Sequence, residues 1–308
     1  MKLIFLGTGA GVPSKFRNVS SILLDLADTT GTAWLFDAGE GAQLQLMKTS
    51  VGLRKIRRIF ISHLHGDHLF GLPGLLGSRS FQENSGPLDI YGPEGIGEYV
   101  ETSLRLSASH LTYETTIHEV EDGQELFHDH GWRVTTRLLD HVVPSFGYRI
   151  EEDERPGELQ VDKLRALGLG PGAWYGRLKA VEEVTLDDGR IVDGKDYLGP
   201  GRPGRVVALC SDTRPAQNSV DLARGADVFV HESTYARAQA QMAPGYGHST
   251  CVEAAELAVQ AGCRTLLLTH FSARYAPEDM AVVQAQAREI FPETYVMTDL
   301  TEVGIPAR

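Results

Sequence analysis

Four metal-ligand side chains fall within six residues in His63-Leu64-His65-Gly66-Asp67-His68. Imidazole nitrogens and carboxylate oxygens are common zinc ligands. The run follows Ile59-Phe60-Ile61-Ser62, a strand-like sequence. It therefore opens a loop at a sheet edge, where sites tend to be built. His63 and His65 alternate along extended backbone and can face one ion. Gly66 permits a turn, after which Asp67 and His68 can face a second. The bland alternative is a polar loop of chance histidines. Three His and one Asp in six positions argue against it.

Two ions need more ligands, each expected from the end of another strand. His141 follows Thr135–Leu139, Asp212 follows Val206–Ser211, and His270 follows Leu266–Thr269. Each is an apolar run closed by one ligand-type residue. A lone histidine in such a place is more often a structural hydrogen bonder, but together the three complete a site that the first run leaves unfinished. His110, His118, His128 and His130 stand outside it. His128-Asp129-His130 resembles a ligand pair but sits in a polar stretch suited to a hairpin, and reads as surface. Gly7-Thr8-Gly9-Ala10-Gly11 follows a strand, as a dinucleotide loop would. It lacks the third glycine at the required spacing and reads as a tight turn.

The elements that position these residues follow from hydrophobic patterning. Lys2–Leu6, Ser20–Leu26, Trp34–Asp37, Ile59–Ser62, Leu88–Tyr91, Trp132–Leu139 and Phe146–Ile150 read as strands. Helical patterns occur at Gly41–Lys48, His68–Leu76 and Gly95–Ser107. After residue 205, strands (Val206–Ser211, Val228–His231, Thr265–Thr269, Tyr295–Thr298) alternate with helices (Asp221–Arg224, Cys251–Ala261, Pro277–Ile290). Two strand-rich halves with helices outside predict an α/β (α+β) sandwich: two packed mixed sheets, helices on both outer faces, one domain over 1–308. Residues 151–200 interrupt the pattern. They open on Glu151-Glu152-Asp153-Glu154, hold one short helical stretch, and are rich in Gly and Pro. This predicts an insertion with little core of its own.

The 308 residues are 42% hydrophobic and 23% charged, a soluble globular profile. Three cysteines are too few for a disulfide framework. The apolar start breaks at Gly7, shorter than any signal h-region, and no stretch approaches a membrane span, so the protein is expected in the cytoplasm. The net charge of −12 argues mildly against non-specific nucleic-acid binding. Local charge differs. Lys15 and Arg17 lie in an acid-free stretch, and so do Lys163, Arg165, Arg177 and Lys179, with Trp174 and Tyr175 between them. Arg274 follows His270 by four residues. Arg54-Lys55-Ile56-Arg57-Arg58 lies at the far end of its strand and reads as surface.

The cluster and the later His, Asp and His resemble the metallo-β-lactamase fold superfamily. Other segments resemble one of its families, tRNase Z (ribonuclease Z), in the short form. Pro13-Ser14-Lys15-Phe16-Arg17-Asn18 resembles that family's Pro-x-Lys-x-Arg-Asn substrate loop. Asp37-Ala38-Gly39-Glu40-Gly41 resembles its Asp-x-Gly-Glu-Gly turn. His231-Glu232-Ser233-Thr234 is similar to its His-Glu-Ala-Thr loop, with Ser for Ala, and His248-Ser249-Thr250 matches its His-Ser-Thr motif. The 151–200 insertion resembles its flexible tRNA-binding arm, from which the acidic run at 151–154 and the stretch 187–204 depart. The likeness covers essentially the whole chain.

The resemblance implies a zinc-dependent endoribonuclease that cuts precursor tRNA after the discriminator nucleotide, leaving a tRNA 3′-hydroxyl and a trailer 5′-phosphate. It implies two Zn²⁺, with Mn²⁺ also compatible with the donors. His63, His65 and His141 would hold one ion, Asp67, His68 and His270 the other, with Asp212 bridging. Asp67 would also orient or deprotonate the nucleophile. His248 would protonate the leaving oxygen, with Glu232 fixing its tautomer. Pro13, Lys15, Arg17, Asn18, Ser249, Thr250, Arg274, Lys163, Arg177 and Lys179 are the expected substrate contacts. A homodimer is implied, one subunit's arm serving the other's site. The rival readings are a small-molecule phosphodiesterase or another hydrolase of the same fold, and a non-enzymatic nucleic-acid-binding protein with structural zinc.

Overall fold

The strand Val206–Cys210 is buried at every position. Its side chains alternate between two cores, because successive residues of a strand point to opposite faces. Val207 and Leu209 enter one core, while Val206, Ala208 and Cys210 enter another. Lys2–Gly7 divides likewise: Leu3 and Phe5 point one way, Ile4 and Leu6 the other. A sheet apolar on both faces must be covered on both.

The computed structural model, which describes residues 1–186 and 188–307, meets that requirement with two seven-stranded sheets. The first runs in the order Glu302–Gly304, Lys2–Gly7, Ser21–Leu26, Thr32–Phe36, Ile56–Phe60, Leu88–Gly92, Thr115–Glu119. The second runs Thr294–Val296, Thr265–Thr269, Val228–Glu232, Val206–Cys210, Phe146–Glu152, Trp132–Leu138, Glu125–Asp129. The first sheet is antiparallel over Lys2–Gly7, Ser21–Leu26 and Thr32–Phe36, then parallel onward. The aromatic core that unites the two sheets includes Trp34, Phe36, Phe60, Trp132 and Tyr148. Helices Leu72–Arg79 and Ile96–Leu106 share a core with the first sheet's outer face, and Gln217–Ala223, Cys251–Ala261 and Met280–Arg288 share one with the second's. The four-layer sandwich is the one expected from the sequence.

Register explains the site's location. Cys210 pairs with His231 in parallel, and Glu232 with Thr269. Phe36 pairs with Phe60, also in parallel. The carboxyl ends within each parallel set therefore finish level, and His63, Asp212 and His270 follow directly. Gly7 is held by a close approach: a Cβ there would lie 1.7 Å from the Val19 carbonyl oxygen. The 7–11 segment is thus a packed turn, as its spacing suggests.

Contacts divide the chain into two units, Met1–Ile150 with Val206–Pro306, and one built chiefly from Glu151–Arg205. The second corrects the expectation of little core. It holds two helices, Val161–Ala166 and Trp174–Lys179, and an antiparallel pair, Glu183–Thr185 with Ile191–Asp193. Leu164, Leu169, Leu178, Val184 and Val192 form its own buried cluster, with Trp174 and Tyr175 packed against it. These apolar residues are scattered singly among polar ones, so no periodic run announces them.

Arg58 is also corrected. Its guanidinium lies 3.7 Å from the Phe127 ring centroid and pairs with Asp129, so it packs rather than standing free. His128 and His130 are exposed, and lie on the hairpin of Glu125–Asp129 with Trp132–Leu138. Among the described residues, no helix is long and apolar enough to cross a membrane.

Candidate metal centre

His63, His65, His141 and Asp212 bring their ligand atoms within 4.8 Å of one another, and so do Asp67, His68 and His270. His63 Nε2 lies 3.0 Å from His65 Nδ1, which lies 3.4 Å from His141 Nε2. In the second group His68 Nε2 and His270 Nε2 are 3.2 Å apart, each 3.4 Å from Asp67 Oδ2. Asp212 stands between the groups. Its Oδ2 faces His63 and His141 at 3.6 and 3.9 Å, and its Oδ1 faces His68 and His270 at 3.4 and 3.2 Å.

These residues fit a bound metal. Asp212 Oδ1 is buried and makes no hydrogen bond, an arrangement costly for a carboxylate oxygen unless a cation faces it. Burial pushes the His63 pKa well down, and the neighbouring His68, His65 and His141 add to this. Burial likewise lowers that of His141. Both rings are thereby kept neutral, the form that ligates metal.

The far nitrogens of these rings are also held. His68 Nδ1 meets Asp37 Oδ2 at 2.7 Å, His141 Nδ1 the Gly247 carbonyl at 2.8 Å, and His270 Nδ1 the Thr234 hydroxyl at 2.8 Å. Such outer contacts set the tautomer and aim the ring. Asp37 carries no ligand role in the sequence reading. Its signal was present, an acid closing a strand just before the Gly39-Glu40-Gly41 turn.

His248 sits beside one histidine of each group, its ring centroid 5.2 Å from that of His141 and 5.5 Å from that of His270. Its Nδ1 bonds Glu232 Oε1 at 2.9 Å. Burial pushes the His248 pKa down, but the Glu232 hydrogen bond and charge more than reverse this, raising it to about 8. Glu232 is wholly buried, and burial alone would raise its pKa. His248 and the neighbouring histidines instead bring it to about 2. Backbone amides of Thr213, Thr234 and Ser249 also donate to this carboxylate. Asp212, His248 and His270 form a third cluster of possible ligands. The His248 atom facing Asp212 is Nδ1, already committed to Glu232.

The expected substrate contacts divide. Pro13, Lys15, Arg274, Lys163, Arg177 and Lys179 are exposed, and Arg177 pairs with Glu182 at 2.9 Å. Asn18 is half-buried. Arg17 is only 7% exposed. Its Nη1 donates to Thr8 Oγ1 at 2.7 Å and the Met297 carbonyl at 3.1 Å, and its guanidinium lies 4.8 Å from the Phe271 ring centroid. It braces the loop from inside instead of reaching outward. Ser249 and Thr250 are likewise buried. Ser249 Oγ donates to the Thr213 carbonyl, and Thr250 caps Cys251–Ala261 in a reciprocal pair with Glu253. Polar side chains beside a site look alike in sequence whether they face substrate or backbone. Asp299, which no motif marked, anchors this region by accepting from Thr8, Asn18 and Gln45.

A family model described as anti-Pycsar protein Apyc1 matches residues 1–152, just under half of the chain. Ribonuclease Z of Limosilactobacillus reuteri is 53% identical over 306 residues, covering 99% of both chains. The structure of human tRNase Z, short form, superposes with a TM-score of 0.72 at 30% identity, over 99% of this chain and 100% of that one. The metallo-β-lactamase fold protein YhfI from Bacillus subtilis superposes with a TM-score of 0.68 at 18% identity, over 98% of both chains, a likeness of fold.

Proposed function

The chain belongs to the ribonuclease Z family, and from that premise we propose a mechanism for its action as a metal-dependent endoribonuclease in tRNA 3′ processing. The observation that carries the mechanism is Asp212, whose two oxygens each face a different histidine group. The reading takes two Zn²⁺ per chain, with Mn²⁺ an acceptable substitute. His63, His65 and His141 would hold one ion and Asp67, His68 and His270 the other, with Asp212 shared. A metal bound there would lower the pKa of water near the phosphorus and offset charge on the phosphoryl oxygens.

The chain's own residues do the rest. Asp67 Oδ2 accepts the Gly11 amide at 2.7 Å, which fixes the carboxylate where it can orient the attacking oxygen. His248 donates a proton to the leaving 3′-oxygen of the discriminator nucleotide, so the tRNA leaves with a 3′-hydroxyl and the trailer with a 5′-phosphate. Glu232 holds His248 through Nδ1, which leaves Nε2 for the proton transfer. Lys15 and Arg274, both exposed, would contact phosphates near the cut.

Lys163, Arg177 and Lys179 would bind the tRNA body from the inserted unit. In a homodimer, that unit would serve the partner's site. Exposed Leu44, Met47 and Phe70, on or beside helices Ala42–Leu46 and Gly66–Leu69, are side chains that a self-interface would cover. The cytoplasm, where precursor tRNA is processed, is the matching compartment.

The test is to incubate purified protein with a precursor tRNA and map the cut. Cleavage directly after the discriminator, abolished by chelation and restored by Zn²⁺, is expected. A cut elsewhere, or cleavage indifferent to chelator, would refute the mechanism.

A further inference from the structure

Ser62 immediately precedes the ligand run and carries no assigned role. It is buried, and its Oγ lies 2.9 Å from His63 Nδ1, 2.9 Å from Asp37 Oδ2 and 3.1 Å from Ser211 Oγ. The same Asp37 oxygen meets His68 Nδ1 at 2.7 Å and Ser211 Oγ at 3.3 Å. Asp37 is itself fixed. Its other oxygen accepts the Ser62 amide at 2.7 Å, and its backbone is left-handed, with φ of 58°. A non-glycine residue keeps that conformation only where its surroundings enforce it.

Hydrogen-bond arithmetic sets the direction of this chain. An ionised carboxylate only accepts, and a hydroxyl has one proton to give. Ser62 gives its proton to Asp37, the charged acceptor. That leaves lone pairs facing His63, so His63 Nδ1 must carry the hydrogen and donate. His68 Nδ1 donates to Asp37 from the other side. Both rings then leave Nε2 as the atom available to a metal, facing Asp212 at 3.6 Å from Oδ2 for His63 and 3.4 Å from Oδ1 for His68.

We propose that Ser62 is a positioning residue that, through one shared carboxylate, locks His63 and His68 in the ligating tautomer and presets both metal groups together. The inference rests on the ligand assignment above. One hydroxyl thus ties a ligand of the first group to a ligand of the second, although Ser62 itself touches no metal.

The wall around Ser62 makes the test clean. Ser62 lines a cavity of ≈ 40 Å³ together with Asp37 and Ser211, room enough for one added methyl group. Ser62→Thr keeps the hydroxyl, Ser62→Val adds similar bulk without it, and Ser62→Ala removes it outright. Each full-length protein would be stripped by chelator, checked for fold by circular dichroism and thermal unfolding, and titrated with buffered zinc. Bound metal would be measured directly.

Ser62→Thr should titrate like the wild type. Ser62→Val and Ser62→Ala should need about 10- to 100-fold more free zinc, as loss of an outer-shell partner typically does. Both binding steps should weaken together. Ser62→Val matching Ser62→Thr beside a zinc-binding wild type would sink this inference alone. Weakening of one step only would overturn the coupling of the two groups. A wild type that bound no zinc would take down the ligand assignment, and this inference with it. If metal-free Ser62→Val failed to fold, Ser62→Ala against Ser62→Thr would decide.

Discussion

His248 shows how one residue's role depends on its neighbours. Alone it is a histidine just before a helix. Its contact with the buried Glu232 carboxylate, itself held by three backbone amides, is what would aim it as the proton donor of the proposed mechanism. Replacing His248 with Ala should lower kcat on precursor tRNA by about 10²-fold or more, while bound metal stays at the wild-type level. Turnover equal to the wild type would remove it from the mechanism. Arg17 shows the opposite lesson. It lies in the substrate-loop motif, yet its guanidinium is spent on Thr8, Met297 and Phe271. Arg17→Ala should therefore destabilise the fold by roughly 1–3 kcal/mol, because buried acceptors lose their donor. Exposed Lys15→Ala should leave stability alone and raise KM. Urea unfolding of the two variants would separate them, and equal stability would argue that Arg17 faces substrate after all.

At the scale of elements, the site is a row of strand ends. Phe36, Phe60, Cys210, Glu232 and Thr269 close parallel strands, and candidate ligands or the groups that bond them follow within a few residues. Apolar runs ended by His or Asp make this legible in the sequence. What the runs did not disclose was the core of the inserted unit, whose base is clamped by Glu152 and Arg205. Arg205 Nε and Nη2 bond the two Glu152 oxygens at 2.7 and 2.8 Å, both side chains being largely buried. Burial pushes the Glu152 pKa up, but the Arg205 bonds outweigh it and hold the group below its usual 4.5. Such a depressed acid stabilises the fold above its unfolded pKa, and that stabilisation fades as pH falls through the lower folded value. Glu152→Gln should cost about 1.5–3 kcal/mol at neutral pH, as loss of a charged hydrogen-bond pair does, and should flatten the loss of stability below pH 4.5. Thermal unfolding from pH 3 to 7 is the measurement, and parallel pH curves for the two proteins would contradict it.

At the scale of the whole molecule, excision of the inserted unit tests its role. Arg155 and Arg202 exchange backbone hydrogen bonds at 2.9 Å, so the chain enters and leaves side by side. Excising 156–201 and closing with a two-glycine turn should preserve the remaining sandwich. KM for precursor tRNA should then rise steeply, while hydrolysis of bis-p-nitrophenyl phosphate persists. Equal loss on both substrates would mean the unit supports the core rather than the tRNA. Sedimentation of the intact protein would test the homodimer, and a monomer at micromolar concentration would oppose it.

Local pattern alone determined the ligand run, the strand ends behind it, the layered sandwich and the family, because those features are written in adjacent residues and short periods. The tertiary structure decided which polar groups serve the site and which serve the fold. Asp299 lies 281 residues from Asn18, and Asp37 lies 31 from His68, yet each pair is in contact. Asp212 faces two histidine groups at once only because two sheets meet at one edge. Hydrogen bonding and burial act across space, so Arg17, Ser249 and Thr250 could be assigned only once their neighbours were known.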